Sequence, residues 1–296
     1  MSDTKTSAED VWTVQRILEW TTEFLGSKHV ESPRLEAELL LAHARSCPRI
    51  RLYTDFETPL TDDERARMRD FVTRRARREP LAYITGRREF YGRDFAVGAG
   101  VLVPRPETET LVDVCLERIS RTSPATVCEV GFGSGCISIT LARQRSQCEV
   151  WASDISDTAM KFASENVRKH EVESRVHLVA GDGLTAIAMA TDARFDGIVG
   201  NPPYLRQDEL NTLEPEVRKF ESPEALVSGE DGLDLVRELI STAPKMLKHN
   251  GWMALEVDPA QCLSVVRLFE AAGFTNATIH KDLNRSDRVV EATWNG

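Results

Sequence analysis

Hydrophobic and polar positions along the chain change period near residue 86. From residue 9 to residue 79 the apolar positions recur at helical spacing. Val11, Val14 and Leu18, then Ile17, Thr21, Phe24 and Leu25, mark a first helix. Leu35, Leu39, Leu40 and His43 mark a second, which stops near Pro48. A third opens at Thr61-Asp62-Asp63-Glu64, a capping box in which the Thr hydroxyl and the Glu carboxylate satisfy free amides. It carries Met68, Phe71 and Val72 on one side and ends at Pro80. Between 86 and 103, Phe90, Phe95 and Val97 among four glycines predict a short hairpin. From 126 onward apolar runs and helical patterns alternate. Strands are expected at 126–130, 149–152, 176–179, 195–199, 252–257, 274–279 and 289–294. Helices are expected at 136–143, 157–169, 184–189, 233–247 and 259–271. Such alternation implies a mainly parallel sheet covered by helices on both faces, closed by an antiparallel pair. The organisation expected is therefore α/β: a helical domain over 1–85, a β-hairpin linker over 86–103 and a Rossmann-like domain over 104–296.

Two of these junctions carry candidate chemistry. The strand at 126–130 runs into Gly131-Phe132-Gly133-Ser134-Gly135. Glycines at alternate positions let the backbone turn tightly and come close to a ligand, and the amides opening the next helix are free to donate. Asp154 follows the second strand, where a ribose-binding carboxylate belongs. The spacing is G-x-G-x-G rather than G-x-G-x-x-G, which favours S-adenosylmethionine over a dinucleotide. Asp182, before Gly183, is a candidate for the adenine amino group. The strand at 195–199 ends in Asn201-Pro202-Pro203-Tyr204. Two prolines cannot continue a sheet, so an amide and an aromatic ring stand at a strand's carboxyl end, where open α/β sheets bind ligands. An amide has no useful basicity. The Asn201 carbonyl and the Pro202 backbone carbonyl can instead hold a planar NH2 group by its protons, with the Tyr204 ring behind it. The exocyclic amine of a base and the side-chain amide of Gln or Asn both fit.

Composition narrows the class. The 296 residues are 41% hydrophobic, with Lys plus Arg at 37, Asp plus Glu at 47 and a net charge of −10. An acidic balance argues against a stable nucleic-acid partner, although the third helix is rich in arginine (Arg65, Arg67, Arg69, Arg74, Arg75, Arg77 and Arg78). That helix reads as a solvated face or as a docking surface for acidic protein or RNA. The polar stretch Met1–Asp10 has no secretory h-region, and no run is long enough to span a membrane. Six cysteines without a C-x-x-C pair predict no metal site and fit a reducing cytoplasm.

With Pro104-Arg105-Pro106-Glu107-Thr108-Glu109 added, the glycine loop and the Asn201–Tyr204 tetrapeptide resemble the protein-(glutamine-N5) methyltransferases of the HemK/PrmC type. Leu81-Ala82-Tyr83-Ile84-Thr85-Gly86, Arg88-Glu89-Phe90-Tyr91-Gly92, Asp231-Gly232-Leu233 and Arg288-Val289-Val290 are similar too. The resemblance implies a seven-stranded methyltransferase domain behind a helical substrate-recognition domain. It implies transfer of a methyl group from S-adenosylmethionine to the glutamine of the Gly-Gly-Gln loop in peptide chain release factors. Ribosomal-protein glutamine methylation and adenine-N6 methylation of DNA or RNA are the alternatives. Carried over, residues 131–135, Asp154, Asp182 and Gly183 would bind the cofactor. Asn201 would touch cofactor and substrate, Pro202, Pro203 and Tyr204 would hold the acceptor amide, and Arg105 and Glu107 would line the same pocket. Glu129 stands where the family has Asp, Phe132 where it has a small residue, and Gly183 where it has a bulkier one.

Overall fold

The computed structural model describes residues 11–296, so the Met1–Asp10 stretch lies outside the described residues. The chain divides into two compact units.

The first is helical: α1 (Val14–Ser27), α2 (Pro33–Ala44), α3 (Arg51–Thr54), α4 (Asp62–Ala76) and α5 (Leu81–Thr85). The core is built from Leu18, Leu25, Leu40, Leu41, Leu52 and Met68. The α2 stripe differs from the expected one. Ala37, Leu40, Leu41 and Ala44 are buried, at i, i+3, i+4 and i+7, while Leu35 is exposed on the far side. Val11 is exposed ahead of α1. The capping box of α4 is present, with the Glu64 amide donating to Thr61 Oγ1 at 3.2 Å and the Thr61 amide to Glu64 Oε2 at 2.8 Å.

The arginines of α4 differ in fate. Arg75 is 4% exposed and bonds both Glu36 and Glu216; Arg78 also bonds Glu216, at 2.8 Å. Arg74 pairs with Glu79 and Arg65 with Asp62. Arg67, Arg69 and Arg77 are exposed. Much of the basic run is thus spent on ion pairs inside this unit. Glu216 belongs to Pro215–Lys219, a segment remote in sequence that folds with the helices. The expected 1–85 domain does not include it, because a helix of six residues is too short to show a hydrophobic period.

The second unit comprises Arg87–Glu214 and Phe220–Gly296. It opens with the hairpin β1 (Arg87–Phe90) and β2 (Arg93–Ala96), followed by α6 (Thr108–Arg118). Then come β3 (Ala125–Val130), α7 (Cys136–Gln144), β4 (Cys148–Asp154), α8 (Asp157–Lys169), β5 (Val176–Ala180), α9 (Gly183–Ala190) and β6 (Phe195–Gly200). After the short α10 (Pro215–Phe220), nearly all of which folds with the first unit, come α11 (Asp234–Thr242), β7 (Leu247–Glu256), α12 (Cys262–Ala271), β8 (Thr275–Lys281) and β9 (Asp287–Trp294). The expected helix over 233–247 is shorter, because Pro244 ends it and β7 already starts at Leu247. Ala260 and Gln261 form a 3-10 turn with Pro259, so α12 starts at Cys262.

Seven strands form one sheet in the order β5-β4-β3-β6-β7-β9-β8, with the last two antiparallel additions. Alternate residues feed opposite cores. Val127, Trp252 and Ala254 face α6 and α7, whereas Cys128, Met253 and Leu255 face α11 and α12. The strand order reverses between β3 and β6, which run parallel with Val130 opposite Gly200. That register sets the carboxyl ends of both strands side by side, the arrangement that opens a ligand crevice in such sheets. The cysteines are free thiols, all but Cys47 buried as small apolar residues. Among the described residues no helix is long and apolar enough to cross a membrane.

Candidate active site

A cavity lies at the carboxyl ends of β3, β4 and β6. Its wall brings together Gly131–Ser134, Asp154, Asp182, Gly183, Asn201, Pro203 and Arg105. Gly135 caps α7 with φ of 79°, and a Cβ there would sit 3.1 Å from the Ile139 side chain. At Gly131 and Gly133, also at positive φ, a Cβ would project into open space. The loop therefore offers bare backbone to whatever fills the cavity.

Asp154 fixes the loop before any ligand arrives. Its Oδ2 accepts from the Gly133 amide at 2.8 Å and its Oδ1 from the Ser156 amide at 2.9 Å. Each oxygen keeps a lone pair for a further donor. Burial raises its pKa, against the pull of these amides. Phe132 is 2% exposed and packs on Val101, Ala152, Ala159 and Ala163. The small side chains of α8 make the room that the larger ring needs. Asn166 on α8 ties the same loop to the hairpin, donating to the Ser134 carbonyl and exchanging bonds with both backbone groups of Ala96.

Glu129 is fully buried at the end of β3 and lines the cavity. One oxygen, Oε2, accepts from the Ser138 amide at 2.9 Å and from its hydroxyl. The other, Oε1, has no hydrogen-bond partner among the described residues. Burial pushes the carboxyl up to about 8; the Ser138 bonds oppose this and Asp154 adds to it.

The segment that opens α6 separates into distinct roles. Arg105 pairs with both oxygens of Glu221 at 2.7 Å, and Glu221 is 5% exposed. Arg88 donates to the Pro104 carbonyl at 3.2 Å, and Glu109 accepts from the Tyr91 amide at 2.8 Å. Thr108, 3% exposed, receives Asn201 Nδ2 at 3.3 Å. Glu107 is not among the cavity-lining residues. Pro202 is buried and Tyr204 half-buried, and neither lines the cavity wall. Burial pushes the Tyr204 phenol up to about 12, with the charge of Glu256 adding to it. The Tyr204 carbonyl accepts from Gln261 Nε2 at 2.9 Å. Glu256 and Glu221 were not singled out by sequence, and Thr108 only as part of the Pro104–Glu109 segment; the position of Glu256 at the end of an apolar strand is the one signal for it.

Comparison with known proteins places this arrangement. A family profile described as the PrmC N-terminal domain matches residues 16–86, and one described as the methyltransferase small domain matches 108–219. A release factor glutamine methyltransferase of Geobacter sulfurreducens is 40% identical over 285 residues, covering 96% of this chain and 98% of that protein. The chain belongs to the release factor glutamine methyltransferase family. One from Rhodopirellula baltica is 39% identical, covering 97% and 98% respectively. The family makes this an enzyme of protein-glutamine methylation on a Rossmann-like methyltransferase fold. Solved structures share that fold at low identity. A methyltransferase from Pyrococcus furiosus has a TM-score of 0.52 at 18% identity, covering 76% of this chain and 99% of its own. The hMettl16 catalytic domain in complex with the MAT2A 3'UTR hairpin 6 has a TM-score of 0.56 at 14% identity, covering 76% and 82%.

Proposed function

We propose that this chain transfers a methyl group from S-adenosylmethionine to the side-chain nitrogen of the glutamine in the Gly-Gly-Gln loop of peptide chain release factors. The observation that carries the reading is the pairing of Val130 with Gly200, which sets Asn201 beside the glycine loop in one cavity wall. The residues fit the cofactor. Gly131 and Gly133 leave a cradle that side chains would fill. The free lone pairs of Asp154 suit ribose hydroxyls, and Asp182 suits the adenine amino group. The unpartnered Oε1 of Glu129 suits the cationic methionyl end. The cofactor supplies an electrophilic methyl on a sulfonium.

Asn201 is the residue through which the acceptor is held. A glutamine amide nitrogen is a weak nucleophile, because its lone pair is delocalised into the carbonyl. The carbonyls of Asn201 and Pro202 each accept one N–H, which fixes the NH2 plane and aims the nitrogen. Positioning of this sort supplies several kcal/mol. Transfer would form the N–C bond as the donor's S–CH3 bond breaks and leaves its electron pair on sulfur; the nitrogen's surplus proton would pass to water, since Asn201 is too weak a base to keep it. Release factors act on ribosomes, so this reaction belongs to the cytoplasm.

Purified protein with labelled S-adenosylmethionine is expected to label a release factor and to leave its Gln→Ala variant in the Gly-Gly-Gln loop unlabelled. Equal labelling of both, or label in a ribosomal protein or nucleic acid instead, would overturn the reading. Asn201→Ala is expected to lose about 100-fold or more in turnover, the usual cost of one preorganised polar group.

A further inference from the structure

A methyl acceptor that is one side chain of a folded protein brings the rest of that protein with it. The reading this inference rests on seats the glutamine at Asn201, so the body of the release factor has to lie against the carboxyl edge of the sheet. The strand order divides that edge. Asp154 and Asp182, at the ends of β4 and β5, stand on the cofactor's side of Asn201. On the other side come β7, β9 and β8, which carry none of the cavity-lining residues.

We propose that the turn joining β8 to β9, together with the start of α12, is a docking surface for the body of the release factor, with Leu283, Leu263 and Arg285 as its contacts. The backbone puts this turn at the right place. Gly200 pairs with Leu255 and Glu256 with Val289, so Asn201, Glu256 and Val289 stand level. The Val257 amide donates to the Arg288 carbonyl at 3.0 Å, and Asp287 pairs with Lys281 beyond it. At about 3.4 Å per residue the turn starts about 7 Å past the level of Asn201. Three strand spacings, about 14 Å, separate β6 from β8. A standard interface takes about 800 Å² from each partner, a disc of about 16 Å radius. One such patch reaches from the tetrapeptide to the turn.

The turn is held in a fixed shape. Asp282 is 6% exposed, and its Oδ1 accepts from the Asn284 and Ser286 amides at 2.9 and 3.0 Å. Its own amide donates to the Ser286 carbonyl, and its carbonyl accepts from the Arg285 amide, both at 2.9 Å. On this frame Leu283 is 92% exposed, the most exposed large apolar side chain among the described residues. Arg285 is exposed at φ of 65°, a conformation that glycine would hold without strain. The structure pairs its guanidinium with no group among the described residues. Neither side chain gains anything inside this chain. Both gain from a partner's surface, the leucine by burial and the arginine through its N–H donors. A contact ordered beforehand also loses little entropy on binding. Leu263, exposed near the start of α12, continues the surface towards the site. It lies two residues after Gln261, whose Nε2 donates to the Tyr204 carbonyl.

Binding tests this without turnover. Immobilised wild-type protein should bind release factor. Leu283→Ser should weaken that binding about 10- to 100-fold, and Leu283→Met should stay within about threefold. Leu263→Ser should weaken it about three- to tenfold. Arg285→Gly removes the guanidinium and relieves the backbone, so it should weaken binding about three- to tenfold with a melting temperature equal or higher. Affinity for S-adenosylmethionine should stay within about twofold in every variant, which shows that each folds. In turnover the loss should appear in KM for release factor, with kcat within about threefold. Unchanged affinity and KM in Leu283→Ser overturn the proposal, as does a loss of kcat at unchanged KM. So does a Leu283→Ser variant that loses self-association in sedimentation but keeps its release-factor affinity, which would give the turn to a second copy of this chain. If wild-type protein binds release factor and leaves it unlabelled, the methyl-transfer reading fails while the binding series still decides the role of the turn.

Discussion

Glu129→Gln separates charge from shape at the cofactor end of the cavity. Glu129 is wholly buried, its Oε1 lacks a partner among the described residues, and burial lifts its carboxyl to about 8. A cation seated against Oε1 requires the carboxylate form. Below that value the free protein holds mainly the acid, so binding must expel a proton. The competent fraction then changes about tenfold per pH unit, and affinity for S-adenosylmethionine should rise about 100-fold between roughly pH 5.5 and 7.5. Over that window the ligand's own ammonium stays mostly charged, beginning to lose its proton only near the upper end. Titration calorimetry in two buffers of different protonation enthalpy should count about one proton released near pH 6. Glu129→Gln should bind with an almost flat pH dependence and release none.

The same shift acts on stability with a fixed sign. The folded carboxyl titrates above the ordinary carboxylate value of 4.5. Its contribution is therefore complete below that value and is lost as pH rises towards about 8, on the order of a few kcal/mol in the free protein. The melting temperature of Glu129→Gln relative to wild type should accordingly climb across this range. A wild-type affinity that ignores pH would refute the reasoning. So would an undiminished slope in the glutamine variant, which would hand the titration to Asp154.

Other parts of the fold make equally direct predictions. Gly232 has φ of 77°, and a Cβ there would fall 2.1 Å from the Tyr204 carbonyl and 2.6 Å from Gln261 Nε2. Gly232→Ala should cost at least about 2 kcal/mol by denaturant unfolding and lower kcat, because both strain and clash act on the tetrapeptide's backbone; wild-type stability and rate would show that the loop yields freely. Arg75→Ala strands Glu36 and leaves Glu216 to Arg78 alone, and should cost about 1–3 kcal/mol in the helical unit, read as earlier amide exchange in α2 and α4; unchanged exchange would mean the ion pairs are idle. Burial pushes Glu256 up to about 7, held down by Thr108, Arg288 and Arg105 and raised by Glu107. Its neighbours Tyr204 and Cys136 titrate far higher. The contribution of Glu256 to stability is therefore complete below the ordinary value of 4.5 and lost as pH rises towards about 7, so the melting temperature of Glu256→Gln relative to wild type should climb across that range. A difference that ignores pH would assign the titration elsewhere.

What could be read from the chain followed from what local chemistry dictates. Alternating apolar runs fix strands whatever lies across from them, and Gly131–Gly135 and Asn201–Tyr204 advertise their backbones through residues that suit nothing else. The boundary at Pro244 was missed because Val236, Leu239 and Ile240 continue a helical period up to it. Pairings across long separations leave no such trace. Arg75 looks like one more arginine on a basic helix, and only the folded chain brings Glu216 to it. Arg105 looks like a ligand for substrate, yet its guanidinium is engaged by Glu221. The same limit applies to the tetrapeptide. Its letters name an amide at a strand end but cannot say which way that amide faces, since both orientations suit the backbone. The side chain found against it is a hydroxyl 93 residues upstream, which takes its Nδ2 at 3.3 Å. A motif of four residues therefore specifies the reacting group, while what that group meets is set by partners that the motif does not contain.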